Sequence, residues 1–399
     1  MASQRPETNN DGVLLPLDAL YEILLRVPAR PLCRFRAVCQ SWRSLISDPP
    51  FVAAHAAHHR DDPPLIAVCV AAGHGRGGEA SETEIRLLDM SDGSVVKRVV
   101  DAVGPSRLLR QVRPHLDLVL IHCRRVIADQ HHRPLRVLDP ATGAVASLRL
   151  PAYDDGTCSW WCVLGRAVSS TGGEGEYKVL SLGTYNGTRL CRVLTVDAGG
   201  GGHGAWRAAP MPPVAIGTFH HRTTVVAGGV VYHLLENGFS PDWGSIAAFD
   251  LESEQWRPTL LQGPVVVPAA RSIGGGPIRR RLAQVNRHLA AVCSTVSTLD
   301  MWLLMGSTGE PPQAVWCKRH TVLISSIQRD YVLVADMEPP WVLDDGRVAL
   351  CLRSDMTSTG MLWMYDPRTQ TCTHVANGLK IGIGVYTGNL LRQQVQRAH

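Results

Sequence analysis

Six times along this 399-residue chain an apolar run ends on one pivot residue, passes a short polar turn and resumes as a second run. The segments are "IRLLDMSDGSVV", "LRVLDPATGAVASL", "CRVLTVDAGGGGHGAW", "SIAAFDLESEQW", "MWLLMGSTGEPPQAVW" and "LWMYDPRTQTCTHV". The pivot is Asp89, Asp139, Asp197, Asp250 or Asp366 in five of them and Gly306 in the other, at spacings of 50, 58, 53, 56 and 60 residues. An aspartate at the end of a strand can accept hydrogen bonds from backbone N–H groups of the turn and so fix a hairpin. Three of the turns are followed by a tryptophan (Trp206, Trp256, Trp316), a large apolar plate suited to packing between neighbouring sheets.

Each unit also carries an earlier apolar run: "PLIAVCVAAG", "HLDLVLIHC", "YKVLSLGTYNGTRL", "GGVVYHLLENG", "RHLAAVCS" and "GRVALCLRSD". About four strands per unit, six times over, is the pattern of a kelch-like β-propeller. The terminal "KIGIGVYTGNLL" is expected to complete a blade begun by an early strand, closing the ring. The 37 glycines and 26 prolines fit the many tight turns such a fold needs.

The stretch Leu15–Phe51, "LPLDALYEILLRVPARPLCRFRAVCQSWRSLISDPPF", is of another kind. Leu17, Leu20, Tyr21, Leu24 and Val27 fall on one helical face, and Pro28 ends that helix. A second short helix is expected around Pro31 to Arg36. A third runs from about Val38 to Ser47, with Val38, Trp42, Leu45 and Ile46 on its apolar side and "DPP" stopping it. Ile23 and Leu25 lie off the main stripe, so the three helices carry more apolar groups than about 40 residues can bury. Either the bundle packs on the large region, or the surplus docks into a partner.

The residues themselves resemble the F-box, with Leu15, Pro16, Asp18, Glu22, Ile23, Leu24, Arg26, Pro28, Val38, Cys39, Trp42, Arg43 and Phe51 among the positions in register. That resemblance implies docking on the Skp-type adaptor of an SCF ubiquitin ligase and, through it, on cullin. The adaptor-binding residues it implies are Leu15, Pro16, Ile23, Leu24, Val38, Cys39 and Trp42. Ala19 and Gln40 depart mildly from the pattern, and neither is a buried anchor. The remainder is similar to the plant-type F-box-associated domain, carried by "LDPATGAVASLRLP", "EYKVLSLG", "GVVYHLLENG", "SIAAFDLESEQWR", "VWCKRHTV" and "LWMYDPRT" in that order. Two departures, "DAGGGGHGAW" and the basic "RSIGGGPIRRRLAQVNRHL", are expected to be loops.

No catalytic constellation stands out. His55, His58 and His59 of "HAAHH", with His131, His132, His220 and His221, are read as exposed helix-end or loop histidines rather than metal ligands, because no matching Cys or acidic ligand is near. There is no GxSxG or P-loop, and "GGEGEY" and "GGGGHG" read as flexible turns. "RRRLAQVNRH" and the acidic Asp154, Asp155, Glu174 and Glu176 read as solvated loop charges. The net charge of +5 comes from scattered Lys and Arg rather than a single stripe, which argues against nucleic acid as a partner.

The N-terminal "MASQRPETNNDG" has no apolar core of a secretory signal, and no apolar run reaches about 18 residues, so no membrane span is expected. The eleven cysteines form no CxxC pair and are expected to be buried thiols in a reducing compartment. The expectation is therefore an α+β multidomain chain: a disordered 1–12, a three-helix F-box with a linker helix over 13–60, and an all-β propeller of six blades over 61–395. It is a non-catalytic substrate receptor without cofactor or metal, in the cytoplasm and/or nucleus, whose target protein is unknown. The alternative is a ligase-independent F-box scaffold or small-molecule sensor.

Overall fold

The computed structural model describes residues 16–59, 62, 64–72, 82–90, 92–105, 109–123, 135–148, 159–169, 175–185, 188–197, 202–216, 223–235, 244–264, 279–285, 288–295, 298–308, 313–323, 336–337, 341–343, 345–353 and 360–391. The chain divides into two compact units: Met1–Asp62 together with Asn389–His399, and Pro63–Gly388. Asn389, Leu390 and Leu391, expected to belong to the β region, thus group with the helices.

The helical unit holds α1 (Leu17–Leu25), α2 (Ala29–Phe35), α3 (Gln40–Ser47) and α4 (Pro49–His58). The four helices match in number the three F-box helices and the linker helix expected over 13–60. Asp48 ends α3, as "DPP" suggested, but Pro49 and Pro50 then occupy the first turn of α4, where a missing N–H costs nothing. Leu24, Leu32, Ile46 and Phe51 are fully buried together, with Leu20, Tyr21, Leu25, Phe35, Trp42 and Leu45 packed around them. Two edge-to-face ring pairs, Tyr21–Phe51 at 5.2 Å and Phe35–Trp42 at 5.5 Å, lock the packing.

The β unit is a series of antiparallel meanders, with parallel contacts at Val285↔Val342 and Leu116↔Tyr386. The first three strands are β1 (Leu65–Ala72), β2 (Glu82–Leu88) and β3 (Val95–Pro105). A four-stranded sheet follows, made of β4 (Leu109–His115), β5 (Leu118–Cys123), β6 (Leu135–Leu138) and β7 (Val145–Leu148). A second comprises β8 (Ser159–Arg166), β9 (Tyr177–Tyr185), β10 (Thr188–Val196) and β11 (Gly202–Ala208). In the next sheet β12 (Thr224–Ala227), β13 (Val230–Leu234) and β14 (Ser245–Asp250) are joined by the short β15 (Gln255–Trp256) and β16 (Leu261–Gln262), both paired to β14.

Then come β17 (Arg279–Val285), β18 (His288–Ser294), β19 (Thr298–Thr308) and β20 (Gln313–Leu323). The last strands are β21 (Asp336–Met337), β22 (Trp341–Val342), β23 (Val348–Arg353), β24 (Gly360–Asp366) and β25 (Thr371–Tyr386). The 16-residue β25 serves two neighbours. Its first half pairs with β24, and its second half pairs with β1 in the register Leu65↔Tyr386 to Val70↔Leu379. Gly378, at φ +75°, sits just before the hand-over, where a side chain would strain the backbone. The terminal strand does join the earliest one, as "KIGIGVY" suggested.

Three of the aspartate turns share one plan, and the turn after Asp197 lies outside the described residues. Asp139 Oδ1 accepts from the Ala141 N–H at 2.8 Å, Asp250 Oδ1 from the Glu252 and Ser253 N–H groups at 3.0 and 2.9 Å, and Asp366 Oδ1 from the Arg368 N–H at 2.8 Å. Four residues after Asp89, Asp139, Asp250 and Asp366 the chain takes a left-handed conformation, at Gly93, Gly143, Glu254 and Gln370. Glycine does so freely, whereas Glu254 and Gln370 adopt it at φ 56° with a steric cost. Gly306 breaks the plan: with no side-chain acceptor to pin a turn, β19 runs on through it and pairs it with Val315.

Successive sheets pack through apolar clusters. Trp256 of β15 lies among Trp161, Val163, Leu180 and Val193 of the preceding sheet and donates from Nε1 to the Pro210 carbonyl at 3.0 Å. Trp316 of β20 packs against the cluster containing Ala227, Tyr232 and Ile246 and donates to the Gln262 carbonyl at 2.8 Å. Trp206 of β11 packs against the cluster of Leu118, Leu120 and Leu135. All three plates therefore lie against the sheet before their own.

Two segments expected to be loops are strands. Arg279–Val285 pairs with β18 along its whole length, with Leu282 and Ala283 buried; its arginines hid the apolar half of the pattern. Gly202–Ala208 pairs with β10 across a bulge between Val193 and Thr195.

Candidate functional site

The helical unit presents the surplus that the sequence suggested. Among residues named for adaptor contact, Ile23 is 50% exposed and Val38 is 62% exposed, and Pro16 and Cys39 are exposed as well. Leu24 is fully buried and Trp42 is half-buried in the core, so these two support the surface from behind. Leu15 lies outside the described residues. Leu17, placed on the apolar stripe of α1, is 68% exposed and adds a third apolar group to the surface. Its neighbours on that stripe, Leu20 and Tyr21, turn inward because the small core reaches only the later turns of α1. The Glu22–Arg26 pair at 3.9 Å is exposed on the same helix and contributes little to stability.

Cys39 caps α3, and its thiol is held below the ordinary value by the Ser41 hydroxyl, 3.1 Å away, and by the Trp42 backbone N–H, against a small opposing effect of burial. Arg36 is half-buried; burial lowers its pKa, and its guanidinium donates to the Ile46 carbonyl at 3.3 Å and to the Leu391 carbonyl at 2.5 Å.

The histidines of α4 differ from expectation. His55 is buried, not exposed, and its Nε2 meets the Val27 carbonyl at 2.9 Å. His59 meets the Leu25 carbonyl at 2.9 Å and the Asp62 carboxylate at 2.6 Å, and the two rings stack at 4.2 Å. The i, i+4 spacing does put both on one face, but that face satisfies carbonyls at the C-terminal end of α1, which have no partner within their own helix. Burial, first of all, keeps the His55 ring below its ordinary pKa and so favours the neutral form. Only His58 is exposed, as expected. His131, His132, His220, His221, Asp154, Asp155 and Glu174 lie outside the described residues, and Glu176 is exposed.

Among the described residues of the β unit, two polar clusters join strands or turns of different sheets. Around the β4–β5 hairpin, the Tyr177 hydroxyl donates to Asp117, and Arg166 lies 5.5 Å over the Tyr177 ring. Burial, then the Asp117 charge, raises the Tyr177 pKa, so the phenol stays protonated as a donor. His115 is pushed down to about 4 by burial, with Asp117 opposing and Arg166 assisting. In the second cluster Glu254 bridges Lys178 at 2.8 Å and Arg207 at 2.5 Å. Burial raises the Glu254 pKa, but hydrogen bonds from Arg207 and Lys178 outweigh it and leave the carboxyl below its ordinary value. Both clusters tie one sheet to the next and have every feature of structural networks. Among the described residues no group of three or more His, Cys, Asp or Glu could hold a metal, and no helix is long and apolar enough to cross a membrane.

His115 sets a pH dependence. Its folded pKa lies below the ordinary 6.5, so its contribution is fully present above about pH 6.5 and is lost as the pH falls toward 4. At pH 5 the loss is about 2 kcal/mol. The fall in melting temperature between pH 7.5 and 5 should therefore be smaller in His115→Gln than in the unaltered protein. Equal falls would contradict the assignment.

Residues 14–53 match the F-box domain family. The chain is 57% identical over 42 residues to an F-box/kelch-repeat protein of Arabidopsis thaliana, a match covering 10% of this chain and 12% of that protein. A further Arabidopsis thaliana F-box protein is 23% identical over 348 residues, covering 84% of this chain and 87% of its own. Among solved structures, TolB from Acinetobacter baumannii aligns with 80% of this chain and 65% of its own at a TM-score of 0.40 and 10% identity.

Proposed function

With residues 14–53 forming an F-box domain ahead of a β region similar to plant F-box proteins over most of the chain, we propose that this protein is the target-recognition subunit of an SCF, cullin–RING ubiquitin ligase. The observation that carries the reading is the exposure of Leu17, Ile23 and Val38 over a helical core that is already complete without them. Apolar side chains left outside a filled core stabilise an interface when a partner covers them. The partner is the Skp-type adaptor, contacted by Pro16, Ile23, Val38 and Cys39, with Leu24 and Trp42 holding the helices from within; the motif adds Leu15 to the contact.

The β region is a propeller of six four-stranded blades, a reading supported by the repeated meanders and by β25 joining β1. Loops between its strands bind a target protein. The chain itself makes and breaks no bond: by holding the target beside a charged ubiquitin-conjugating enzyme it raises the effective concentration of the target's lysines. Such a complex works inside the cell, in the cytoplasm or nucleus. The test is assembly from purified parts. Mixed with Skp-type adaptor and the N-terminal region of cullin, the chain should elute with both as one complex; elution apart from the adaptor would overturn the proposal.

A further inference from the structure

The helical unit is built from two stretches far apart in the sequence. Leu391 is fully buried among Leu24, Leu32, Ile46 and Phe51, although it lies 355 residues beyond Arg36. Its seat is prepared by polar contacts that the sequence did not announce. The Arg36 guanidinium donates to the Leu391 carbonyl, and the Cys33 thiol donates to the Leu390 carbonyl at 3.5 Å. The Asn389 amide donates to the Val52 carbonyl at 3.0 Å, while its own Oδ1 accepts from the Leu391 N–H at 2.9 Å. Between them, Cys33 and Arg36, Ile46 and Val52 sit on or beside α2, α3 and α4, so one short segment ties three helices together.

We propose that Asn389–Leu391 is a strap that positions the docking helices, so that a chain lacking its C-terminal end has a complete F-box sequence but no docking-competent F-box. The inference rests on the docking function proposed above. Without Leu391 the cluster of Leu24, Leu32, Ile46 and Phe51 opens to water, and the helices presenting Ile23 and Val38 lose a common support. Because β25 ends at Tyr386, only Thr387 and Gly388 separate the strand that joins β1 from the strap. The strap is therefore synthesised after all the described strands of the β region. Adaptor binding is thereby reserved for chains whose target-binding region has been synthesised to its end.

The test compares the 399-residue chain with Leu391→Asp, with the milder Asn389→Ala, and with chains ending at Arg392 or at Gly388. Two quantities are read: amide hydrogen exchange of α1–α4 without adaptor, and affinity for purified Skp-type adaptor. The chain ending at Arg392 should match the 399-residue chain in both. Leu391→Asp and the chain ending at Gly388 should exchange at least about tenfold faster in α1–α3 and bind adaptor at least about thirtyfold more weakly, with exchange in β5 and β13 unchanged. Asn389→Ala should fall between. Unchanged helix protection in Leu391→Asp or in the shorter chain would overturn the strap. Faster exchange in these variants, with no adaptor binding by the 399-residue chain, would overturn the docking function and with it the claim that the strap serves it.

Discussion

On the proposed docking role, replacing Ile23 and Val38 together by aspartate should lower affinity for the Skp-type adaptor by about a thousandfold or more while moving the melting temperature by no more than about 2–3 °C. The two effects separate because each side chain is at least half exposed in the folded chain, at 50% and 62%. Surface replacements away from caps and buried networks change stability by no more than about 0.5 kcal/mol. At an interface the same positions are costly. Burial of each apolar side chain is worth roughly 1.5–3 kcal/mol, and an unpaired carboxylate placed there adds a desolvation penalty. A combined loss near 4 kcal/mol is about a thousandfold in affinity. Titration with adaptor and a thermal melt on the same sample check both halves. Full binding by the double variant would remove α1 and the α2–α3 turn from the interface. Trp42→Ala is a less selective probe, because Trp42 packs edge-on against Phe35 and its removal also loosens the core.

Ile383→Asp is the largest expected effect on the β unit. Ile383 is buried in the cluster of Ile66, Val68, Leu362 and Leu379, on the half of β25 that pairs with β1, directly opposite Val68. A carboxylate there removes the side chain's burial and introduces a charge without a partner, a loss of about 4 kcal/mol. The melting temperature should fall by roughly 8 °C or more. The effect reaches beyond one residue, since this strand joins the two ends of the β unit and its loss exposes both β1 and the following half of the sheet. A fall as small as that from a surface replacement would mean that the β1–β25 pairing contributes little to the fold.

Where the architecture was legible, the signal was local. The pivot aspartates announced their turns because the side chain bonds amides only two or three residues on, as at Asp139 and Asp250. The tryptophan plates were readable because their size leaves few places to go other than between sheets. The repeat is less visible in its glycines, since Glu254 and Gln370 hold the left-handed position that Gly93 and Gly143 hold elsewhere. In Glu254 the ion pairs to Lys178 and Arg207 accompany that strained backbone and help hold it.

What stayed hidden depends on partners far along the chain. The arginines of β17 read as a solvated loop because nothing nearby reveals that Leu282 and Ala283 face a core. His55 and His59 looked like surface residues, since the carbonyls they meet lie at and just beyond the end of a helix some 30 residues earlier. The paired prolines read as an end, although they also begin α4. On the helical surface the motif identified Ile23 and Val38, and the placement of Leu17 outside the core was decided only by how few turns of α1 that core can cover. Nothing in "TGNLL" signals that Leu391 completes a core formed by the first 60 residues.

The most direct measurement is a calorimetric titration of the intact, purified chain with purified Skp-type adaptor near pH 7.5. One adaptor per chain with a Kd below about 1 µM, and a negative heat-capacity change from burial of Leu17, Ile23 and Val38, is the predicted result. No binding at adaptor concentrations up to about 100 µM, by a chain whose helices are folded, would contradict it.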